Sequence, residues 1–295
     1  METVFGVTGA SGKLARIVTS ELRKASVNML VLGTRNPASI ALEASNGSEV
    51  RLVDFDKPET LGPGLADIDR LLIISTDHLS VDGARREQHR RALAAAKAAG
   101  VQHIAYTSMP NPDAGSPIPF AADHRAMEAD LEASGIDHTV LRVSWYFENL
   151  LRLLPHVVAS GVWYSASGTG RISYLARSDA GRAAARALLA AKGGIVDFTG
   201  AAFQTTSDIA AIVSEVTGRA IEVVPVSQHE IFAKWASVGL PKDYIATLAM
   251  TDANQREGRF SPVSNAVPDL IGEKATDWRT FLNANLDQLL SRAAA

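Results

Sequence analysis

Along the first half of the chain, short and mostly apolar runs alternate with longer segments in which apolar residues recur every three or four positions. The runs Val4–Val7, Met29–Leu32, Val50–Val53, Leu71–Ile74, Ile104–Tyr106 and Thr139–Val143 predict strands. Leu71–Ile74 holds no polar residue, as a strand covered on both faces should. Between the runs, Leu14, Ile17, Val18 and Leu22 mark one face of a helix over Leu14–Ala25. A charged helix is expected over Gly83–Ala99, closed by Gly100, and another over Ala121–Ser134, ending before Gly135. Strands that alternate with helices predict an α/β fold, a Rossmann-type doubly wound parallel sheet. Ligands on such sheets bind at the carboxyl ends of the strands, where the strand order reverses.

After Pro155 the rhythm loosens. A helix over Ala180–Ala191, a strand over Ile195–Phe198, a helix over Ser207–Thr217 and a strand over Glu222–Val226 are expected to continue the same fold. Breaks at Gly239, Pro241, Pro262 and Pro268 divide a mostly helical remainder. The organisation expected is a nucleotide-binding domain over 1–155, its sheet completed by parts of 171–226, and a smaller, mainly helical C-terminal lobe over 227–295. The last residues, Ala293–Ala295, read as a frayed end.

Composition narrows the function classes. The formal charge of -3 weakens nucleic acid or an anionic membrane as the main partner. Without cysteine there is no disulfide framework, no thiolate nucleophile and no Cys-ligated metal. Met1–Val7 runs straight into a strand with no apolar leader, and no stretch keeps the ~20 apolar residues of a membrane helix. The expectation is a cytoplasmic protein with no nucleic-acid or membrane partner. A homodimer is compatible with the sequence, which does not fix the oligomer.

The strongest chemical signal is Thr8-Gly9-Ala10-Ser11-Gly12-Lys13-Leu14-Ala15, between the first strand and the first helix. Gly9 permits a sharp turn, and Gly12 permits close approach of a pyrophosphate to the backbone. The helix start adds N–H groups and the positive end of its dipole. Gly9, Ser11, Gly12, Lys13 and Leu14 are therefore expected to bind a dinucleotide. The spacing is Gly-x-x-Gly-x-x-Ala, with Ala15 where a third glycine would allow close packing.

The second strand leads into Thr34-Arg35-Asn36-Pro37, with no acid to hold a free ribose hydroxyl. Arg35 offers a planar donor fork suited to a 2′-phosphate, so NADP(H) is expected over NAD. Asp54-Phe55 follows the third strand and suits an adenine edge and face; Asp54 serves equally well as a cap for the next helix. Ser75-Thr76 and Thr107-Ser108 end two further strands on the same rim, where hydroxyls reach a ribose or nicotinamide. The histidines His78, His89, His103, His138, His156 and His229 show no ligand spacing, and no metal site is expected. Gly168-Thr169-Gly170 reads as a hairpin turn and not as a second phosphate loop.

Together these residues resemble the NmrA-like, atypical short-chain dehydrogenase/reductase family, nearest its type 2 NADPH:quinone oxidoreductases and triphenylmethane reductases. The likeness also rests on Ala105-Tyr106-Thr107-Ser108, Trp145-Tyr146-Phe147-Glu148-Asn149 and Ser237-Val238-Gly239-Leu240-Pro241. It implies NADPH along the sheet rim, with Val143 and Trp145 beside it, and a substrate cleft toward the C-terminal lobe. It implies hydride transfer to a small conjugated acceptor such as a quinone, or a non-catalytic NADP-binding redox sensor of the NmrA type. One departure matters: the slot for the Tyr-x-x-x-Lys pair of typical short-chain dehydrogenases reads Phe120-Ala121-Ala122-Asp123-His124. Phenylalanine has no proton to give. His124 and Tyr146 are the candidate catalytic residues, at the nicotinamide ribose or the acceptor.

Overall fold

The computed structural model describes residues 2–76, 83–260 and 262–291; His78 and Ala293–Ala295 lie outside these. Among the described residues the strands are β1 (Phe5–Val7), β2 (Leu30–Thr34), β3 (Glu49–Leu52), β4 (Arg70–Ile73), β5 (His103–Ser108), β6 (Asp137–Val143), β7 (Val162–Ser165), β8 (Gly194–Phe198) and β9 (Glu222–Pro225). Seven form one sheet in the order β3-β2-β1-β4-β5-β6-β8, every neighbouring pair parallel. The chain runs outward from β1 to β3, then returns to β4 on the other side of β1. Strand order reverses between β1 and β4, which opens a crevice at their carboxyl ends.

Both faces of the sheet are covered at its centre, which is why β1 and β2 are buried along their whole length, whereas the edge strand β3 carries Glu49 and Arg51. On one face, the helices Lys13–Lys24 and Arg177–Ala190 bury Val18, Leu22, Ala184 and Leu188 against Leu72 and Leu141. Each leucine so removed from water contributes about 1.5–3 kcal/mol. The two helices touch closely at Gly181, where a β-carbon would stand 2.6 Å from Ile17 Cγ2. On the other face, the helices Ala84–Ala98 and Ala121–Ser134 bury Leu93 and Leu131 against Leu71, Ile73, Ile104 and Tyr106.

A second core gathers Phe147, Trp163, Trp235, Phe260, Trp278 and Phe281. Around it lie β7, β9 and helices that include Thr206–Thr217, Glu230–Ala236, Lys242–Arg256 and Trp278–Ala284. Thr205 and Asp208 form a reciprocal capping box that starts the first of these. Two expectations need correction. The strand near Glu222–Val226 does not extend the main sheet: β9 pairs in parallel with β7 as a separate two-stranded sheet. The lobe thus draws on chain well before residue 227. Gly168–Gly170 is no hairpin, because β7 has a parallel partner. Its turn is closed by Gly170 N–H donating to Ser167 O at 3.0 Å, with Gly170 pressed on the backbone of Gln255.

Candidate active site

The loop after β1 turns at Gly9, whose φ of 62° favours glycine. Gly12 N–H donates to Gly9 O at 2.8 Å and so shapes the start of the helix Lys13–Lys24. Gly12 is the N-cap and has no side chain to satisfy the first helical N–H groups, and no acidic residue occupies the first turn. The helix therefore presents unsatisfied donors and positive dipole toward the crevice. A β-carbon on Gly12 would sit 3.1 Å from Gly9 O.

In front of this loop is a cleft of about 610 Å³, within the range of small-molecule and cofactor sites. Gly9, Ser11, Gly12, Lys13 and Leu14 line it, with Arg35, Asp54, Phe55, Ser75 and Thr76. Lys13, Arg35 and Arg177 bring three cations to its wall, and among the described residues none pairs with a carboxylate. The two carboxylates present are engaged: Asp54 lies 3.8 Å from Lys57 Nζ, and both oxygens of Asp56 accept from Gln88 Nε2 at 2.9 Å. Net positive potential over exposed helix donors suits a polyanion. Asp54 accepts from the backbone N–H of Asp56, while the next helical turn, Pro58–Thr60, has Lys57 at its cap. Of the two roles open to Asp54, capping is thus not the one it adopts.

Other expected site residues stand behind the wall. Thr107 Oγ1 accepts from Ser75 N–H at 2.8 Å and thereby fixes the end of β4. Ser108 donates to Glu128 at 2.5 Å, and Glu128 also binds Arg142 at 2.7 Å. Val143 is core. Trp145 stacks on Phe120 at 6.5 Å and meets Phe260 edge-on at 4.9 Å, so its indole joins the two lobes.

His124 is only 3% exposed. Its Nε2 lies 2.7 Å from an Arg85 guanidinium nitrogen and its Nδ1 lies 2.9 Å from Tyr106 Oη. Burial, with the nearby Arg85 charge, holds its pKa well below the usual histidine value. His124 is therefore a neutral group beneath the cleft. Tyr146 is half-buried, with the Arg177 guanidinium 4.7 Å from its ring centroid. Burial raises its pKa, so the phenol keeps its proton at neutral pH. Phe120, in the slot of the usual tyrosine acid, is packed between Trp145 and Arg85.

Sequence reasoning missed Arg177 and Gln88, and it used Asn149 only as part of the stretch that carries the family resemblance. All three line the cleft. Arg177 is brought there because its helix packs tightly on the glycine-loop helix; the signal available was the small-residue run Ala180-Gly181 and Ala183-Ala184-Ala185, which permits close helix approach. Among the described residues no cluster of three or more His, Asp or Glu could hold a metal ion, and no helix is long and apolar enough to cross a membrane.

Comparison with known proteins agrees with this geometry. The family model described as NAD(P)H-binding matches residues 9–154. Quinone oxidoreductase 2 of Escherichia coli (strain K12) is 34% identical over 276 residues, covering 92% of this chain and 95% of that protein. The crystal structure of an Escherichia coli NADPH-dependent quinone oxidoreductase complexed with NADPH superposes with a TM-score of 0.89 at 33% identity, over 96% of this chain and 100% of the other. Citrobacter sp. triphenylmethane reductase complexed with NADP(H) gives a TM-score of 0.86 at 28% identity, over 95% and 99%. Fold, cleft and near full-length similarity converge: the chain belongs to the NmrA-like, NAD(P)H-binding family of reductases.

Proposed function

We propose that this protein is an NADPH-dependent oxidoreductase that reduces a quinone or a similar conjugated acceptor. The observation that carries the reading is the glycine-loop cleft lined by three cations that form no ion pair among the described residues, joined to a rim on which Phe120 replaces the tyrosine acid. When bound, NADPH supplies the hydride. The residues divide the binding by chemistry. The unsatisfied N–H groups after Gly12 take the pyrophosphate, Arg35 the 2′-phosphate, and Phe55 and Asp54 the adenine face and edge. Ser75 and Thr76, held from behind by Thr107 and His89, meet the nicotinamide half.

Proton demand then selects the acceptor. An isolated ketone gathers charge on one oxygen and needs an acid or an oxyanion hole in the transition state. Phe120 provides neither. A quinone spreads the incoming charge over its ring, and its product takes a proton from water. The protein's task is then to hold a flat acceptor ~3–3.5 Å from the donor carbon. Tyr146 keeps its proton and can donate a hydrogen bond to an acceptor oxygen, with Arg177 over its ring to stabilise developing negative charge. His124 supports this rim from beneath.

The test is NADPH oxidation by the purified protein with a benzoquinone and with a simple ketone. Turnover of the quinone well above that of the ketone is expected. Faster ketone turnover would overturn the mechanism, and binding of NADPH without oxidation by any conjugated acceptor would favour a cofactor-binding sensor.

A further inference from the structure

One buried amide ties together two residues of the cleft wall. Asp56 follows β3, Thr76 follows β4, and Gln88 reaches both from the helix Ala84–Ala98. Gln88 Nε2 donates to Asp56 Oδ1 and Oδ2, each at 2.9 Å, and Gln88 Oε1 accepts from the Thr76 hydroxyl at 2.7 Å. All three residues line the cleft, and Gln88 is only 3% exposed.

Asp56 sets the direction of the whole chain of bonds. A carboxylate only accepts, so the amide must turn its NH2 group toward Asp56 and its oxygen toward Thr76. That oxygen also only accepts, which commits the single proton of the Thr76 hydroxyl to it. The backbone N–H of Thr76 is committed as well, to His89 Nε2 at 3.2 Å. Every donor in the series meets an acceptor, and Thr76 has no proton left for a ligand. What its hydroxyl retains is a lone pair, on a β-branched side chain that the 2.7 Å bond holds in one rotamer. A carboxylate at position 88 would face Asp56 with like charge. An apolar side chain there would let the hydroxyl turn and point its proton elsewhere.

We propose that Gln88 is a positioning residue which makes the Thr76 hydroxyl a hydrogen-bond acceptor for the nicotinamide half of the cofactor. The group received is a donor, either the carboxamide N–H or a hydroxyl of the nicotinamide ribose. A phosphate oxygen only accepts, so Thr76 offers it nothing and leaves it to the helix N–H groups and the cations of the wall. In this way the wall sorts the two ends of an extended ligand by hydrogen-bond direction. The proposal rests on the NADPH reading of the cleft.

The test is titration of the full chain, Thr76→Val, Gln88→Met and the double variant with two ligands. One is NADP⁺; the other is 2′-phosphoadenosine 5′-diphosphate, which lacks the nicotinamide half. Each single substitution is expected to weaken NADP⁺ binding about three- to tenfold, the loss of one neutral hydrogen bond, and to change binding of the diphosphate by less than about twofold. The double variant is expected to bind NADP⁺ no more weakly than the weaker single variant, because Gln88 acts through Thr76. Losses that multiply, losses that fall equally on both ligands, or a Gln88→Met protein that binds NADP⁺ as the unaltered chain does would overturn the positioning role. The acetylpyridine analogue of NADP⁺, which has no carboxamide N–H, identifies the donor. Insensitivity of this analogue to Thr76→Val assigns the carboxamide, and an undiminished loss assigns the ribose hydroxyl. Asp56→Asn combined with Gln88→Glu keeps a donor at position 56 and an acceptor at position 88, so this pair is expected to hold NADP⁺ affinity within about threefold. A folded pair as weak as Thr76→Val would overturn the proposal even where Gln88→Met does not fold. Absence of NADP⁺ binding by the unaltered chain would overturn the cofactor reading, and the role of Gln88 with it.

Discussion

The Arg177 guanidinium lies 4.7 Å from the centroid of the Tyr146 ring, with one nitrogen 3.5 Å from Asn149 Oδ1. A 3.5 Å contact is at the limit of a hydrogen bond, so the ring face is the principal support of this cation. Among the described residues its guanidinium forms no ion pair, Glu148 accepting from the Arg177 backbone N–H instead, and it lines the cleft. Arg177→Ala should therefore weaken NADPH binding about tenfold or more, the loss of one charge-assisted contact. Arg177→Lys should restore part of that affinity, because it keeps the charge and loses the planar stack. Fluorescence titration of both variants, with circular dichroism to confirm folding, checks this.

Arg35 follows β2 on an exposed segment of the same wall, also without a carboxylate partner. Arg35→Ala should lower NADPH affinity roughly ten- to a hundredfold and leave NADH affinity nearly unchanged. Parallel titrations with the two cofactors measure it; equal losses for both would remove Arg35 from the 2′-phosphate.

Gly12 has φ -75° and ψ 158°, an extended conformation open to any residue, and a β-carbon there would meet only Gly9 O at 3.1 Å. Gly12→Val should therefore fold. Its branched side chain would occupy the space in which a pyrophosphate must reach the helix N–H groups, so cofactor binding should be abolished. Retained binding by the folded variant would place the phosphates elsewhere.

The buried imidazoles make stability depend on acid. His89 is held at about 3 and His124 well below the usual value, so the folded protein keeps both neutral while the unfolded chain protonates near 6.5. Their stabilisation is complete above pH 6.5 and is lost as pH falls toward 3. Between pH 7 and pH 5 His89 removes roughly 2 kcal/mol from the unfolding free energy, and His124 acts in the same direction. Urea unfolding at the two values should show the loss, and His89→Gln should reduce it by roughly 2 kcal/mol.

Much of the sheet was legible because each strand and helix carries its own period. The predicted Leu71–Ile74 and Ile104–Tyr106 correspond to β4 and β5, displaced only by a residue or two at their ends. The glycine loop was legible for the same reason: a turn at Gly9 and a bare N-cap at Gly12 are properties of a few consecutive residues. Arg35 was readable because it stands where β2 ends, a position set by local chain geometry.

Chain packing decided the rest. Arg177 reaches the cleft only because Gly181 lets its helix settle on Ile17. β9 left the main sheet because β7, far away in sequence, offered it a parallel edge. His124 was a sound candidate as a single residue in the right helix, yet its surroundings are set by Tyr106 on β5 and Arg85 on another helix. Burial and donor geometry, which arise only when separate segments meet, determine whether an imidazole is charged and which nitrogen holds its proton. Local pattern therefore specified the elements and the phosphate loop. The protonation states and the far wall of the cleft were settled by tertiary contact, because both depend on groups that the chain brings together from a distance.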